Sequence, residues 1–358
     1  MPDPSTLALR TLAFPGQCGL ASGHIPASRA GPLRVPMSLP RVLVTTHIPR
    51  PALEFLREHA DLDVRDEKGE MPRVEFLRRL AGKDGALCVL LDRLDAEAFD
   101  AGAPTLRVAS NIAVGYDNID LAAARARRIV VTNTPDVLTD GVADFTIGLI
   151  LSVTRRITEG DRFVRAGRWK GWALDFMLGA ELRGHQLGIV GYGRIGRAVA
   201  ARARAFGMRI AYALSPDEEP LGRAGDDDAT GLTLDDLLAT SDVVSLHVPL
   251  NAATRHMIGA REIGRMKPSA YLVNTARGPV VNEAELAAAL RDRVIAGAAI
   301  DVFEREPDVH PDLLPLENVV LAPHLGSATI ETRTAMAMLA ARNLVEVLEG
   351  RPALTPIR

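Results

Sequence analysis

From residue 41 onward, short β-branched runs alternate with amphipathic stretches. Val42–Thr45, Leu62–Val64, Ala86–Leu91, Arg107–Ala109 and Ile129–Thr132 read as strands, and Pro51–Glu58 and Arg73–Leu80 as helices between them. That alternation is the signature of βαβ units around a parallel sheet. A long helix is expected from near Asp140, carrying Val142, Phe145, Ile147 and Ile150 and ending before Trp169–Trp172. A second series of strands follows: Gln186–Val190, Arg209–Ala213, Val243–Leu246, Ala270–Asn274, Ala298–Ile300 and Val319–Leu321. The last helix runs from about Thr329 to Glu349, with Glu331 in its first turn and Gly350 and Pro352 as stop signals.

The second series opens on the most specific local pattern in the chain. The apolar run Leu187–Val190 enters Gly191-x-Gly193-x-x-Gly196, and the helical pattern Ile195, Ala198, Val199, Ala203 and Phe206 follows. Gly191 permits a tight turn, Gly193 lets a pyrophosphate approach the backbone, and Gly196 lets helix and strand pack closely. Bare amides at the helix start, where Arg194 and Ile195 lie, suit phosphate oxygens. Glycines alone say little; the strand before and helix after make this a dinucleotide site. The pattern lies in mid-chain, so the dinucleotide lobe (residues 139–325) is expected as an insertion. The first lobe is then residues 37–138 together with 326–358, closed by the returning last helix. The fold class is α/β, with two Rossmann-like doubly wound lobes, the dinucleotide-binding lobe inserted into a flavodoxin-like substrate lobe. Ligands are expected in the cleft between them.

A chain of 358 residues, 47% hydrophobic and 24% charged, is long enough for about two domains with full cores. A net charge of −3 gives no case for nucleic acid or an anionic membrane as partner. Cys18 and Cys88 lie far apart without metal spacing, which suits a reducing cytoplasm. The apolar run Phe145–Val153 is too short to span a bilayer and reads as a buried helix. Residues 1–36 hold six prolines and four glycines with little periodicity, and read as a disordered extension. Arg10, Arg29 and Arg34 against Asp3 leave room for a transit peptide, but there is no amphipathic helix and no secretion-like apolar run. Met37, directly before the first strand, is expected to be the natural start.

Three polar residues follow strands downstream of the glycines, at the sheet edge where such folds bind ligands. Arg277 stands in Asn274–Thr275–Ala276–Arg277–Gly278, Glu306 follows Asp301–Val302–Phe303–Glu304–Arg305, and His324 stands in Pro323–His324–Leu325–Gly326–Ser327–Ala328–Thr329. Singly, a loop arginine is usually solvated, a glutamate before proline a turn residue, and a lone histidine structural. His310 invites a metal reading, but no convergent ligand spacing exists and a polar loop explains it; no metal site is expected. His247 ends a strand and suits the wall of an adenine pocket, while Trp169 and Trp172 suit packing or subunit contacts.

Together these segments match a family. With Val114–Gly115–Tyr116–Asp117–Asn118–Ile119–Asp120 and Thr132–Asn133–Thr134–Pro135–Asp136–Val137–Leu138–Thr139, they make most of residues 41–350 resemble the D-isomer-specific 2-hydroxyacid dehydrogenases. The chain is most similar to their glyoxylate/hydroxypyruvate reductase (D-glycerate dehydrogenase) branch. The resemblance implies that His324 is the general acid for carbonyl reduction by a nicotinamide cofactor; an unperturbed imidazole titrates near working pH, which fits. It implies that Glu306 fixes the tautomer of His324 and favours imidazolium, and that Arg277 polarises the carbonyl and pairs with the substrate carboxylate. Val114 and Gly115 amides would hold that carboxylate, and Leu90 in the Val89–Leu91 loop would line the far side. Thr275, Ala276, Asp301 and Gly326 would face the nicotinamide. His247, Val248, Pro249 and Thr254 would lie on the adenine side. A homodimer through the helix near Asp140 and the segment around Trp169 is also implied.

The cofactor and the acid are less sharply defined. Leu214 stands roughly where an NAD-preferring site places a carboxylate on the ribose. Ser215 could bond a phosphate, yet Asp217–Glu218–Glu219 would oppose one. Use of both NADH and NADPH with modest discrimination is expected. Only Arg93, beside Asp92, could hold a substrate phosphate near Leu90, so glyoxylate and hydroxypyruvate fit better than 3-phosphoglycerate. A third alternative is a cofactor-sensing corepressor-like binding protein, since the same fold serves that role without a reactive centre. The presence of Arg277, Glu306 and His324 together favours the enzyme.

Overall fold

A computed structural model describes residues 39–67, 69, 71–214 and 228–357. The expected extension and Met37 lie outside the described residues, as do Ser215 and Asp217–Glu219. The first series of elements is β1 (Arg41–Val44), α1 (Arg50–Arg57), β2 (Asp61–Val64), α2 (Arg73–Leu80), β3 (Gly85–Cys88), α3 (Ala96–Gly102), β4 (Val108–Asn111), α4 (Leu121–Ala126) and β5 (Val130–Thr132). Two helices follow, α5 (Thr139–Thr154) and α6 (Ile157–Arg165). The second series is β6 (Gln186–Val190), α7 (Arg194–Ala205), β7 (Arg209–Ala213), β8 (Thr230–Gly231), α8 (Leu234–Thr240), β9 (Val243–Leu246), α9 (Ala260–Ile263), β10 (Tyr271–Asn274), α10 (Glu283–Arg291), β11 (Gly297–Ile300) and β12 (Val319–Leu321), before the last helix α11 (Ile330–Leu348).

All strand pairings within the two sheets are parallel. The first sheet has the order β2-β1-β3-β4-β5, the flavodoxin-like arrangement. The second runs β12-β11-β10-β9-β6-β7-β8, the doubly wound order of a dinucleotide fold extended by one strand. Its order reverses between β6 and β9, so loops after these two strands diverge and leave a crevice. The glycine-rich turn follows β6 and His247 follows β9.

The inner strands of both sheets are buried because helices cover both faces, whereas the edge strands β2 and β8 are more polar and more exposed. On one face of the first sheet, Val42, Val44, Leu87 and Val108 pack against Ala337, Ala340, Ala341 and Leu344 of α11. Ser110, buried within that sheet, satisfies its hydroxyl on the Ala340 carbonyl at 2.8 Å. Beyond α11 the chain pairs again with the first lobe, as Ile357 N–H donates to Val131 O at 2.8 Å. The last helix therefore returns to the first sheet. Helix α5 belongs to the other lobe, where Ala143, Ile147, Ile150 and Val153 pack on Leu187, Ile189 and Val273. Its buried hydroxyls bond one turn back, Thr146 to Val142 O at 2.8 Å and Thr154 to Ile150 O at 2.7 Å. Leu138, Val142 and Met336 form a small separate cluster with Val114 and Ile195, where the two lobes meet.

Two expectations need correction. The helix from Asp140 is two helices, because Arg156 takes a left-handed φ of 55° and ends the first run. The strand expected over Ala86–Leu91 stops at Cys88, since the Asp92 carboxylate accepts the Val89 N–H at 2.8 Å and folds Val89–Asp92 into a turn. Trp169 and Trp172, expected at packing or subunit contacts, are 56% and 79% exposed.

The closing role of α11 is testable by truncation. Leu344→Ala should cost about 2–5 kcal/mol in denaturant unfolding, because Leu344 is fully buried against the first sheet. Ile330→Ala on the same helix, where the side chain is exposed, should change stability by less than about 0.5 kcal/mol. Equal small effects would contradict the packing described.

Candidate active site

The glycine-rich turn is built for close approach. Gly191 has φ 91°, and a Cβ there would lie 2.7 Å from the backbone of His247. A Cβ on Gly196 would lie 2.3 Å from the Gly191 carbonyl oxygen, so only glycine lets α7 start this near β6. Gly193 is the N-cap of α7 and no side chain caps the helix, which leaves the amides of its first turn bare. A dinucleotide pyrophosphate fits that donor set. The Arg194 guanidinium reaches Asp136 at 2.6 Å, both side chains largely exposed. Leu214 follows β7 and is half-buried.

On the far side of the crevice His247 donates its backbone N–H to Val190 O at 2.7 Å and places Nε2 2.8 Å from Ser245 Oγ. Burial pulls its pKa down to about 4, so the ring is neutral near pH 7. Val248 is buried and Pro249 exposed. Thr254 is buried with its hydroxyl on Pro249 O at 2.6 Å, which closes the turn after β9.

Arg277, Glu306 and His324 follow the neighbouring strands β10, β11 and β12 in that order. Asn274 shapes the first loop: its Oδ1 accepts Ala276 N–H at 3.0 Å and its Nδ2 donates to Arg277 O at 2.9 Å. The Arg277 Nε–H donates to Asp117 Oδ1 at 3.0 Å, and Nη1 donates to Ala276 O at 2.8 Å. Thr275 Oγ1 lies 3.2 Å from Thr146 Oγ1 on α5.

Glu306 Oε2 lies 2.8 Å from His324 Nδ1, and Glu306 Oε1 accepts the Phe303 N–H at 3.0 Å. Burial pushes the Glu306 carboxyl up. The His324 hydrogen bond and charge, the Phe303 amide and the Arg277 charge outweigh it and hold the group below its ordinary value. An ionised carboxylate only accepts, so Nδ1 carries the proton and Nε2 is left for other work. His324 itself has φ 53°, uncommon for a residue with a side chain. Its N–H is shared between Asp301 O at 2.8 Å and Ala322 O at 3.1 Å. The Asp301 carboxylate then accepts Leu325 N–H at 2.7 Å and Gly326 N–H at 2.9 Å. Asp301 is 1% exposed, and burial keeps its carboxyl above the ordinary value despite the two amides. The structure thus gives Asp301 a bracing task beneath His324 that the motif did not reveal.

From the first lobe, Asn133 Nδ2 donates to Val114 O at 2.8 Å and Asn111 Nδ2 to Gly115 O at 3.1 Å. Both carbonyls are thereby engaged by side chains. Leu90 is half-buried in the turn after β3. His310 caps a short 3₁₀ turn, and no group of three or more metal-ligating side chains occurs among the described residues.

A parallel sheet with a bare, glycine-opened helix start, beside a carboxylate-held imidazole and a guanidinium, defines an NAD(P)-dependent oxidoreductase. Residues 147–326 match the family model described as D-isomer specific 2-hydroxyacid dehydrogenase, NAD binding domain. A glyoxylate reductase of Thermofilum pendens is 50% identical over 329 residues, 89% of this chain and 95% of that one. Among solved structures, a glyoxylate reductase from Paecilomyes thermophila superimposes with a TM-score of 0.80 at 34% identity, covering 90% of this chain and 99% of that one. An NADPH-dependent glyoxylate/hydroxypyruvate reductase from Sinorhizobium meliloti, in complex with NADP and malonate, gives 0.76 at 37% identity, with 89% and 97% covered. The chain belongs to the D-isomer-specific 2-hydroxyacid dehydrogenase family.

The sign of the Glu306 shift sets a test. Its folded value is depressed, so its ionisation adds stability present above the unfolded value of about 4.3 and lost as pH falls through the folded one. The stability gap between wild type and Glu306→Gln, read from urea unfolding, should be full at pH 7 and shrink at acid pH. A gap that is constant or widens on acidification would contradict the assignment.

Proposed function

We propose that the chain reduces glyoxylate or hydroxypyruvate to glycolate or D-glycerate with NAD(P)H. The 2.8 Å Glu306–His324 bond, next to Arg277 at the same sheet edge, carries this reading. The glyoxylate reductase relatives support the substrate class. The Arg277 fork pairs with the substrate carboxylate and polarises the 2-oxo group, while the Val114 and Gly115 amides hold the carboxylate from the first lobe. Leu90 closes the side away from the cofactor. Bound NAD(P)H supplies the hydride to C2. His324 donates the Nε2 proton to the carbonyl oxygen, and Glu306 stabilises the imidazolium before transfer.

The cofactor pyrophosphate is held by Gly191, Gly193, Arg194, Ile195 and Gly196. Leu214 and Ser215 border the ribose, His247, Val248, Pro249 and Thr254 the adenine side, and Thr275, Ala276, Asp301 and Gly326 the nicotinamide. We divide the chain at residues 138/139 and 325/326, with the nucleotide lobe between those points. No helix among the described residues is long and apolar enough to cross a membrane, and the buried free Cys88 suits the cytoplasm. A homodimer is supported by the exposed apolar side chains Ile157, Val164, Trp169, Trp172, Leu174 and Leu178, all between α6 and β6 or on α6 itself.

His324→Gln should lower kcat for glyoxylate by about a hundredfold or more while cofactor binding persists. Near-normal turnover would remove the assigned acid. In the same assay NADH and NADPH should both serve; a preference above about a thousandfold, roughly 4 kcal/mol, would contradict shared use. Light scattering on the intact chain should give twice the monomer mass, and Trp172→Asp should shift it toward monomer. A monomeric wild type at micromolar concentration would remove the dimer.

A further inference from the structure

We propose that Asp117 is a positioning residue: from the first lobe it orients the Arg277 guanidinium toward the Val114–Gly115 backbone. This rests on the reading of Arg277 as the group that binds the 2-oxo acid. Two bonds on adjacent nitrogens define the guanidinium plane, Nε–H to Asp117 Oδ1 at 3.0 Å and Nη1 to Ala276 O at 2.8 Å. Ala276 belongs to the arginine's own loop, so that bond alone cannot set the group against the opposite lobe. Asp117 does. The nitrogen that neither bond takes, Nη2, lies over Gly115, where a Cβ would be only 1.8 Å away. The same Cβ would be 3.0 Å from Asp117 Oδ1, so Gly115, Asp117 and Arg277 crowd a single spot.

Asp117 can act as a fixed point because its loop is tied down. Asn118 Nδ2 donates to Val89 O at 3.3 Å and Asp92 O at 2.9 Å, and Asn111 Nδ2 donates to Gly115 O at 3.1 Å. The first two bonds join the loop to the turn that carries Leu90. Among the described residues, Arg277 is the cation within ion-pair distance of Asp117. The side chains are 24% and 33% exposed, and a pair so accessible contributes little to stability. Its charge also disfavours a bound carboxylate nearby, which argues that it serves geometry and not affinity. Orientation of a substrate-binding fork is where small displacements are costly to turnover.

The test uses the intact enzyme with glyoxylate and NADPH, wild-type reduction being the control that keeps this inference apart from the proposed function. Asp117→Ala should lower kcat about tenfold or more, with melting temperature and cofactor Kd unchanged. Asp117→Asn keeps an oxygen acceptor for Nε–H and should stay within about threefold of wild-type kcat, with KM not raised. In an Arg277→Lys background, Asp117→Ala should have no further effect, because the two act as one unit. Wild-type kcat in Asp117→Ala, or an undiminished loss in the Arg277→Lys background, would overturn the proposal. If the alanine variant does not fold, the asparagine variant decides: a tenfold loss of kcat there contradicts it.

Discussion

An imidazole can deliver a proton to a chosen point only if its other nitrogen is held, and here a half-buried carboxylate holds it. The Glu306–His324 bond spans two loops at the ends of adjacent strands, so it exists only while β11 and β12 keep their parallel register. Beneath it Asp301 binds two successive amides past His324 and stabilises the left-handed backbone at that residue. Backbone strain of this kind persists where surrounding contacts over-determine it, and it clusters at reactive sites. Burial pushes both carboxyls up, and their partners decide the outcome. Glu306 is held ionised by the charges beside it, whereas Asp301, with amides as its main partners, is pushed toward its neutral form.

The remaining architecture brings that imidazole to a dinucleotide. The strand order of the second sheet reverses between β6 and β9, and the glycine turn and the neutral His247 flank that crevice. Both lobes meet at the small cluster of Leu138, Val142 and Met336, just where the chain passes into α5 and leaves through α11. The ion pair from Asp117 to Arg277 crosses between the lobes beside His324, and that from Asp136 to Arg194 crosses at the glycine turn.

Much of this was legible in the chain because parallel strands buried on both faces are short, continuous apolar runs. Gln186–Val190, Arg209–Ala213, Val243–Leu246 and Val319–Leu321 coincide with strands for that reason. The break at Arg156 was not legible, since neither glycine nor proline marks it. The early end of β3 was hidden too, because Val89–Leu91 is apolar and the turn depends on a carboxylate folding back. In the site, motif order revealed Arg277, Glu306 and His324 as a set. It could not reveal what Asp301 braces, nor that Asp117 pairs with a guanidinium 160 residues away, since no local periodicity connects the two.

The central claim is that one guanidinium and one carboxylate-held imidazole act on the same carbonyl. A crystal structure of the enzyme with NADP and oxamate, an unreactive mimic of a 2-oxo acid, tests it directly. The account predicts the oxamate carboxylate on Arg277 and its carbonyl oxygen within about 3 Å of His324 Nε2. Oxamate bound with that oxygen turned away from His324, or with Arg277 elsewhere, would contradict it.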